Sequence, residues 1–464
     1  MSPCIRLFRA DVVLIAALLG CAGETAAPAE APTEGAAAAP ALPAATPPAR
    51  CDASAAWISA PNPPAEIGGG VAIGDETNCQ FQQFAWQWFL SLVSPTPDGE
   101  RAFEAFPVFQ PGVAEQCATN APTGRAATAK ALFVRTSKTA DDTTTAAMPE
   151  QIAQATGEAL YDQAGNVVLY NVRYSPNECR ATSAGFEPNT IELKTAWRVV
   201  AADDPTLPTY YTMTTDVQGF TGPQTLALVG FHLVINTKNH PEFVWATFEH
   251  ASNAPDCRSP AAAPASGWSF TSAAAAGCLA QGGSAGCSQY GFNTGVRPPP
   301  GLTSTPTEVC RVYPDGTDAA ATTGGNDNGT NTSNIDQLNT QLVGPSGYLT
   351  QLPASDPMAV WKNYFLVGSL WTNGGVASAE ASPGTVQRGS LELANLTMET
   401  FFQAPAQNCF TCHDYDPGSP LAVSHIVDDL LPSTVTGLGG TASVAPTGAE
   451  TTGAGGAAAV PAVK

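Results

Sequence analysis

The chain has 464 residues, with 19 Lys and Arg against 40 Asp and Glu and a formal net charge of −21. An excess of negative charge on this scale excludes nucleic acid as a partner, because the two fields repel; it would steer basic protein partners, but is just as often only a solubility device. The length supports one large domain or two intimate ones with a substantial core.

Residues 1–20 carry Arg6 and Arg9 ahead of an apolar run over 12–19 that is too short to span a bilayer as a mature helix, which predicts a signal peptide. The run ends Leu18-Leu19-Gly20-Cys21, which resembles the bacterial lipobox. That resemblance implies that Cys21 is lipidated and becomes the mature N-terminus; the alternative is an ordinary cleaved signal in which Cys21 is incidental. Ala22 fits the outer-membrane sorting pattern of such lipoproteins. The expected location is therefore the bacterial cell envelope, lipid-anchored at the outer membrane, on its periplasmic face or at the cell surface. Residues 21–50 are an Ala/Pro-rich tether whose composition buries nothing.

A domain over 51–390 opens with a helix, since Phe81, Phe84, Ala85, Trp88, Phe89 and Leu92 recur at helical spacing and line one face. The period then changes. Segments 167–174, 193–200, 208–215, 224–236 and 242–249 are rich in Val, Ile, Tyr, Trp and Thr and are separated by turn strings such as Asn239-His240-Pro241, which predicts an antiparallel sheet. Residues 258–344 are rich in Ala, Gly, Ser, Pro and Thr and read as a long irregular excursion pinned by disulfides, with one short helix over 335–342. This stretch is also a candidate substrate-binding loop. The string Asn326-Asp327-Asn328-Gly329-Thr330 offers oxygen ligands for calcium but lacks an EF-hand register and reads as a turn.

Segment 391–432 holds Cys409-Phe410-Thr411-Cys412-His413. A Cys-x-x-Cys-His string lets two thiols form thioethers to a haem while the adjacent imidazole binds its iron. A zinc ribbon would require a second cysteine pair at short spacing, and a thioredoxin-like dithiol would require a βαβ context; the sequence offers neither. One covalent haem c on Cys409 and Cys412, with His413 as proximal ligand, is the expected cofactor. Residues 433–464 are a Gly/Thr/Ala-rich tail expected to be disordered. The predicted fold class is thus α+β: an antiparallel β-rich central domain with flanking helices and a C-terminal haem-binding segment, not a small all-helical class I cytochrome c.

Once Cys21, Cys409 and Cys412 are set aside, Cys51, Cys79, Cys117, Cys179, Cys257, Cys278, Cys287 and Cys310 remain as an even set in the exported part. They predict up to four disulfides among about 105 connectivities. The short Gly-rich loop between Cys278 and Cys287 makes that the best single pair.

All five methionines precede Cys409, so a methionine cannot arrive from downstream as in small cytochromes. His425 is the first candidate for the sixth iron position; a segment of twelve residues reaches up to roughly 40 Å, enough to round a porphyrin edge. The alternatives are His250, His232 and Met398. In a hairpin turning at 238–241, His250 would lie opposite Ala227 and His232 opposite Trp245, about five positions or roughly 17 Å apart, so one iron cannot bind both. Glu249 beside His250 is a possible proton-transfer partner. His240, in the turn, is expected to face solvent, and Met398 to pack on a helix over 393–402.

The strings Phe84-Ala85-Trp86-Gln87, Leu228-Val229-Gly230-Phe231-His232, Val244-Trp245-Ala246-Thr247-Phe248-Glu249-His250 and Asn395-Leu396-Thr397-Met398-Glu399-Thr400, with the haem motif, resemble a group of large, mostly uncharacterised bacterial cytochrome c family proteins that carry one C-terminal motif. The resemblance implies covalent haem at Cys409 and Cys412 and axial ligation by His413; it supplies no substrate. The expected function is electron transfer with redox partner proteins. The alternatives are a haem enzyme of peroxidase or oxygenase type, with an open sixth position and His250 or Glu249 for acid–base work, and an anchored binding module whose haem is a sensor or structural element.

Overall fold

The computed structural model describes residues 50–110, 114–119, 158–217, 220–295, 301–317, 331–378, 386–403 and 409–436. The signal peptide with Cys21, the tether up to residue 49, the 326–330 string and the tail beyond residue 436 lie outside the described residues. Seven strands form one antiparallel sheet: β1 Leu169–Tyr174, β2 Ile191–Val200, β3 Thr212–Thr215, β4 Gln224–Ile235, β5 Val244–His250, β6 Tyr364–Trp371 and β7 Arg388–Gly389. Their order is β1-β2-β4-β5-β6-β7, with β3 paired to β4. The α+β class is as expected, and every expected strand segment contributes. Segment 208–215 yields only β3, because Leu207–Thr209 is a 3-10 turn. Strands β6 and β7 were not foreseen.

The sheet is covered on both faces, so its central strands show near-continuous apolar runs rather than alternation; all of β5 is buried. One face is covered by α2, Asn78–Val93, which follows a short α1, Ala56–Ser59. Thr77 and Gln80 cap α2 reciprocally, satisfying donors that the first turn leaves free. Phe81, Phe84, Ala85, Phe89 and Leu92 are buried as the period predicts. Trp86 is fully buried as well, whereas Trp88 is partly buried at the edge of the core and its indole N–H donates to the Pro64 carbonyl at 2.9 Å. A single turn, α3 Gln116–Thr119, holds Cys117. The 258–344 excursion is more ordered than its composition implies: α4 spans Ala273–Gly282, and α5, Asn331–Val343, extends well beyond the expected 335–342 to pack Ile335, Leu338 and Leu342 beside α2. Four disulfides join Cys51–Cys79, Cys117–Cys179, Cys257–Cys310 and the anticipated Cys278–Cys287.

The second face carries the C-terminal segment. Residues 393–402 form turns rather than the expected helix. The reason is local competition for the backbone: the Asn395 side chain accepts from Thr397 N at 2.9 Å, and Glu249 takes Leu396 N at 2.6 Å, so neither amide is left for a helical ladder. Gly230 lets this segment approach β4, since a Cβ there would lie 2.9 Å from Asn395 Oδ1 and 3.0 Å from Met398 Cε. Two short helices, α6 Val427–Leu430 and α7 Ser433–Thr436, end the described chain, so the first four residues of the expected tail are helical. Among the described residues no helix is long and apolar enough to cross a membrane.

Candidate functional site

Residues Cys409–Thr411 make one 3-10 turn, with the Cys412 and His413 amides donating to the Cys409 carbonyl at 3.2 and 2.9 Å. Residues at i, i+3 and i+4 of such a turn share one side, which brings both thiols and the imidazole together. Behind them is an apolar wall on the second face of the sheet that includes Val234, Trp245, Val367, Leu370 and Leu393. The eight other described cysteines are all paired, yet Cys409 and Cys412 remain thiols. Burial, and then the negative charge of Glu399, push both thiols above the ordinary range, so they are held protonated and poorly nucleophilic.

The His413 ring is fixed from three sides. Its Nδ1–H donates to the Val423 carbonyl at 2.9 Å, which leaves the Nε2 lone pair free, the tautomer of a metal-bound imidazole. Trp245 lies 4.4 Å away, and His425 stacks on it at 3.9 Å with an interplanar angle of 17°. Burial, then the His425 ring, hold His413 well below the usual histidine range, so it is neutral. His425 is exposed and donates Nε2–H to the Cys412 carbonyl at 2.9 Å. In this position it flanks His413 rather than facing it.

Three residues complete the surroundings, and none was named as a functional residue from sequence. Lys194 on β2 is the register partner of His232 on β4, and His232 Nε2 lies 3.0 Å from Glu399 Oε1. Burial raises Glu399, but His232 and Lys194 outweigh it and keep the carboxylate below its ordinary range. Burial lowers Lys194, against the pull of Glu399 and Cys412. Trp245 is the third. A lysine inside a strand buried on both faces was the one available signal for Lys194; Trp245 and Glu399 stood within strings quoted only as a resemblance.

The other candidates are placed elsewhere. The observed register sets His232 opposite Thr247 and Gly230 opposite Glu249, two residues from the expected alignment. His250 is 1% exposed, stacks on Tyr210 at 3.8 Å, donates Nε2–H to the Thr209 carbonyl and accepts from Ser252 N. Burial drives it down to about 3, so it is a neutral core histidine with both nitrogens used. Glu249 points to the other side of the strand and binds Arg311 at 3.0 Å, so the suggested His250–Glu249 proton pair does not exist. Met398 is 0% exposed in the apolar cluster with Leu396, Val229 and Phe270, a core residue without the predicted helix. His240 is not solvent-facing: it is 1% exposed, with Nδ1 2.9 Å from Glu242 and Nε2 3.3 Å from Glu76.

Three of the resemblance strings thus meet in space. Asn395 donates to Thr247 Oγ1 and to the Phe248 carbonyl, Glu249 holds Leu396, and Glu399 holds His232, which makes one polar seam beside the motif. Among the described residues no group of three or more His, Cys, Asp and Glu is arranged to hold a bare metal ion. Two thiols and one oriented imidazole on a single turn, set against an apolar wall with Lys194 close by, are residues that would fit a thioether-bound haem. Compared with known proteins, the chain matches no family model, no curated protein and no solved structure.

Proposed function

We propose that the chain is a c-type cytochrome with one covalently attached haem that transfers electrons in the bacterial envelope, anchored to the membrane by lipid on Cys21. The observation that carries this reading is the pair of free thiols on one turn with His413, whose Nδ1–H is already committed to Val423. Cys409 and Cys412 would carry the haem as thioethers, His413 would be its proximal ligand, and Lys194 would be available to its propionates. A bound haem supplies an iron that cycles between ferric and ferrous. The protein's part is to fix the imidazole, exclude water with Trp245 and Leu393, and keep the charges of Glu399 and Lys194 close by. Four disulfides agree with an oxidising compartment outside the cytosol.

The stacked pose of His425 favours a second reading, a haem enzyme with an open sixth position. His425 lies stacked on His413 with its Nε2–H given to the Cys412 carbonyl, and would have to release that carbonyl to serve as a second iron ligand. In that case His232 with Glu399, not His250 with Glu249, is the acid–base pair beside the site. The test is haem staining of the denatured protein: wild type stains, and Cys409→Ala/Cys412→Ala does not. Stain retained by the double variant would refute covalent attachment at this motif.

A further inference from the structure

Behind the loop that carries Val423 and His425 lie two carboxyls that the reading above does not use. Glu178 is 0% exposed, and Glu192, on β2, projects beside it. The two carboxyls are neighbours, and Glu178 Oε2 and Glu192 Oε1 are buried without a hydrogen-bond donor. Carboxylate oxygens only accept, so two that meet in a buried place need a proton between them. One shared proton satisfies both orphaned atoms at once.

Nothing nearby supplies a full countercharge. Tyr174 is the register partner of Glu192 on β1, and Val234 is its partner on β4. Arg180, two residues from Glu178, turns outward to Glu187, and Cys179 is tied in a disulfide. Lys194, two residues along β2, lies toward Glu399 and Cys412. Among the described residues of the C-terminal segment, Ser424 makes the polar contact: its hydroxyl lies 3.5 Å from Glu178 Oε1, also neighbours Glu192, and accepts from Ile426 N. Ser424 sits between Val423, which holds the proximal imidazole, and His425. Leu421, Ile426, Val427 and Leu430 seal the region with an apolar cluster.

We infer that the Glu178–Glu192 pair is a redox-linked proton site: when the haem iron gains an electron from a partner protein, the pair takes up one proton from water, and it releases that proton on oxidation. The inference rests on the haem reading. One electron arrives from a one-electron donor, one proton arrives from solvent, and no bond to carbon changes. The direction follows from electrostatics, since each added negative charge on the iron makes the carboxylate harder to ionise in a medium of low dielectric. Burial, joined for Glu178 by the neighbouring carboxylate, already raises both groups, Glu192 to about 7, so the exchange falls in the physiological range.

The experiment is spectroelectrochemical titration of the full-length holoprotein from pH 5 to 9. The wild-type midpoint potential should fall as pH rises, with a slope approaching about 59 mV per unit for one proton per electron, and Glu178→Gln/Glu192→Gln should flatten it. A flat wild-type profile, or a slope that survives in the double variant, overturns the inference. If the double variant fails to fold, a reduced-minus-oxidised infrared spectrum of the wild type decides: reduction should add protonated-carboxyl absorption, and its absence overturns the inference. Haem staining is read first on the same sample, because loss of stain refutes the cytochrome reading itself, whereas a stained protein with a flat profile refutes only the proton site.

Discussion

The imidazole of His413 donates its Nδ1 hydrogen to the carbonyl of Val423 at 2.9 Å, tying the Cys-x-x-Cys-His motif to a loop ten residues further along the chain. His425 belongs to that same loop and covers the face of the same ring. The loop therefore fixes the orientation of the His413 ring and places His425 against it, the residue that would be the nearest candidate for a second ligand under the proposed haem reading. His425→Ala is expected to leave covalent haem in place and to convert a low-spin ferric spectrum fully to high-spin. An unchanged low-spin spectrum would remove His425 from the sixth position and direct attention to His232.

The buried His240 lies between Glu242 and Glu76, and its charge is part of the fold. Burial lowers its pKa, but the two carboxylates outweigh burial and raise it to about 9 from the ordinary 6.5. A histidine raised on folding stabilises fully below its unfolded value and loses that contribution as pH climbs through the folded one. Glu76, held below its ordinary range by His240 despite burial, acts in the opposite sense and loses its contribution only in acid. His240→Ala should therefore cost about 3 kcal/mol near pH 6, and the gap to wild type should close between pH 7 and 10. Urea unfolding at several pH values measures both; a cost independent of pH would show that the ring acts by packing alone.

Arg311 offers a test that leaves the motif untouched. Its guanidinium binds Glu249 at 3.0 Å and Asp256 at 2.8 Å and donates to the Ala254 carbonyl, all beneath the segment that begins at Asn395. Removing it strands Glu249, which is 0% exposed. Arg311→Ala should destabilise the fold by about 3–5 kcal/mol, the usual cost of an uncompensated buried charge. A loss under 1 kcal/mol by chemical denaturation would mean that Glu249 takes up a proton there at little cost.

What the sequence disclosed was local. Helix α2 was legible because Phe81, Phe84 and Phe89 repeat at helical spacing, and the motif was legible because its three donors lie within five residues. The Cys278–Cys287 bridge closes over 9 residues and could be anticipated; the other three span 28, 62 and 53 and could not. The site's surroundings were hidden for the same reason, since His232 and Glu399 are 167 residues apart. His240 looked exposed because Asn-His-Pro is turn chemistry, and only the arrival of Glu76 from 164 residues away makes it buried. Strand β6 escaped notice because it lies far from its partner β5 in the chain, with the whole irregular excursion between them.

Gln341 on α5 reaches back 290 residues to donate to the Cys51 carbonyl, and Gln337 accepts from Cys51 N. The beginning of the described chain is thus fastened by a helix from its last third, while β6 supplies the outer partner of β5 from still later. Contacts that close so late in the sequence cannot form piecemeal during synthesis, and such a topology folds slowly. A fragment ending before α5 would keep the packing of Phe89 on Phe231 and Phe248 but lose Trp371 from Phe81 and Trp361 from Phe89. The wall behind the two thiols, drawn from β4, β5 and β6, is therefore complete only once β6 has joined the sheet.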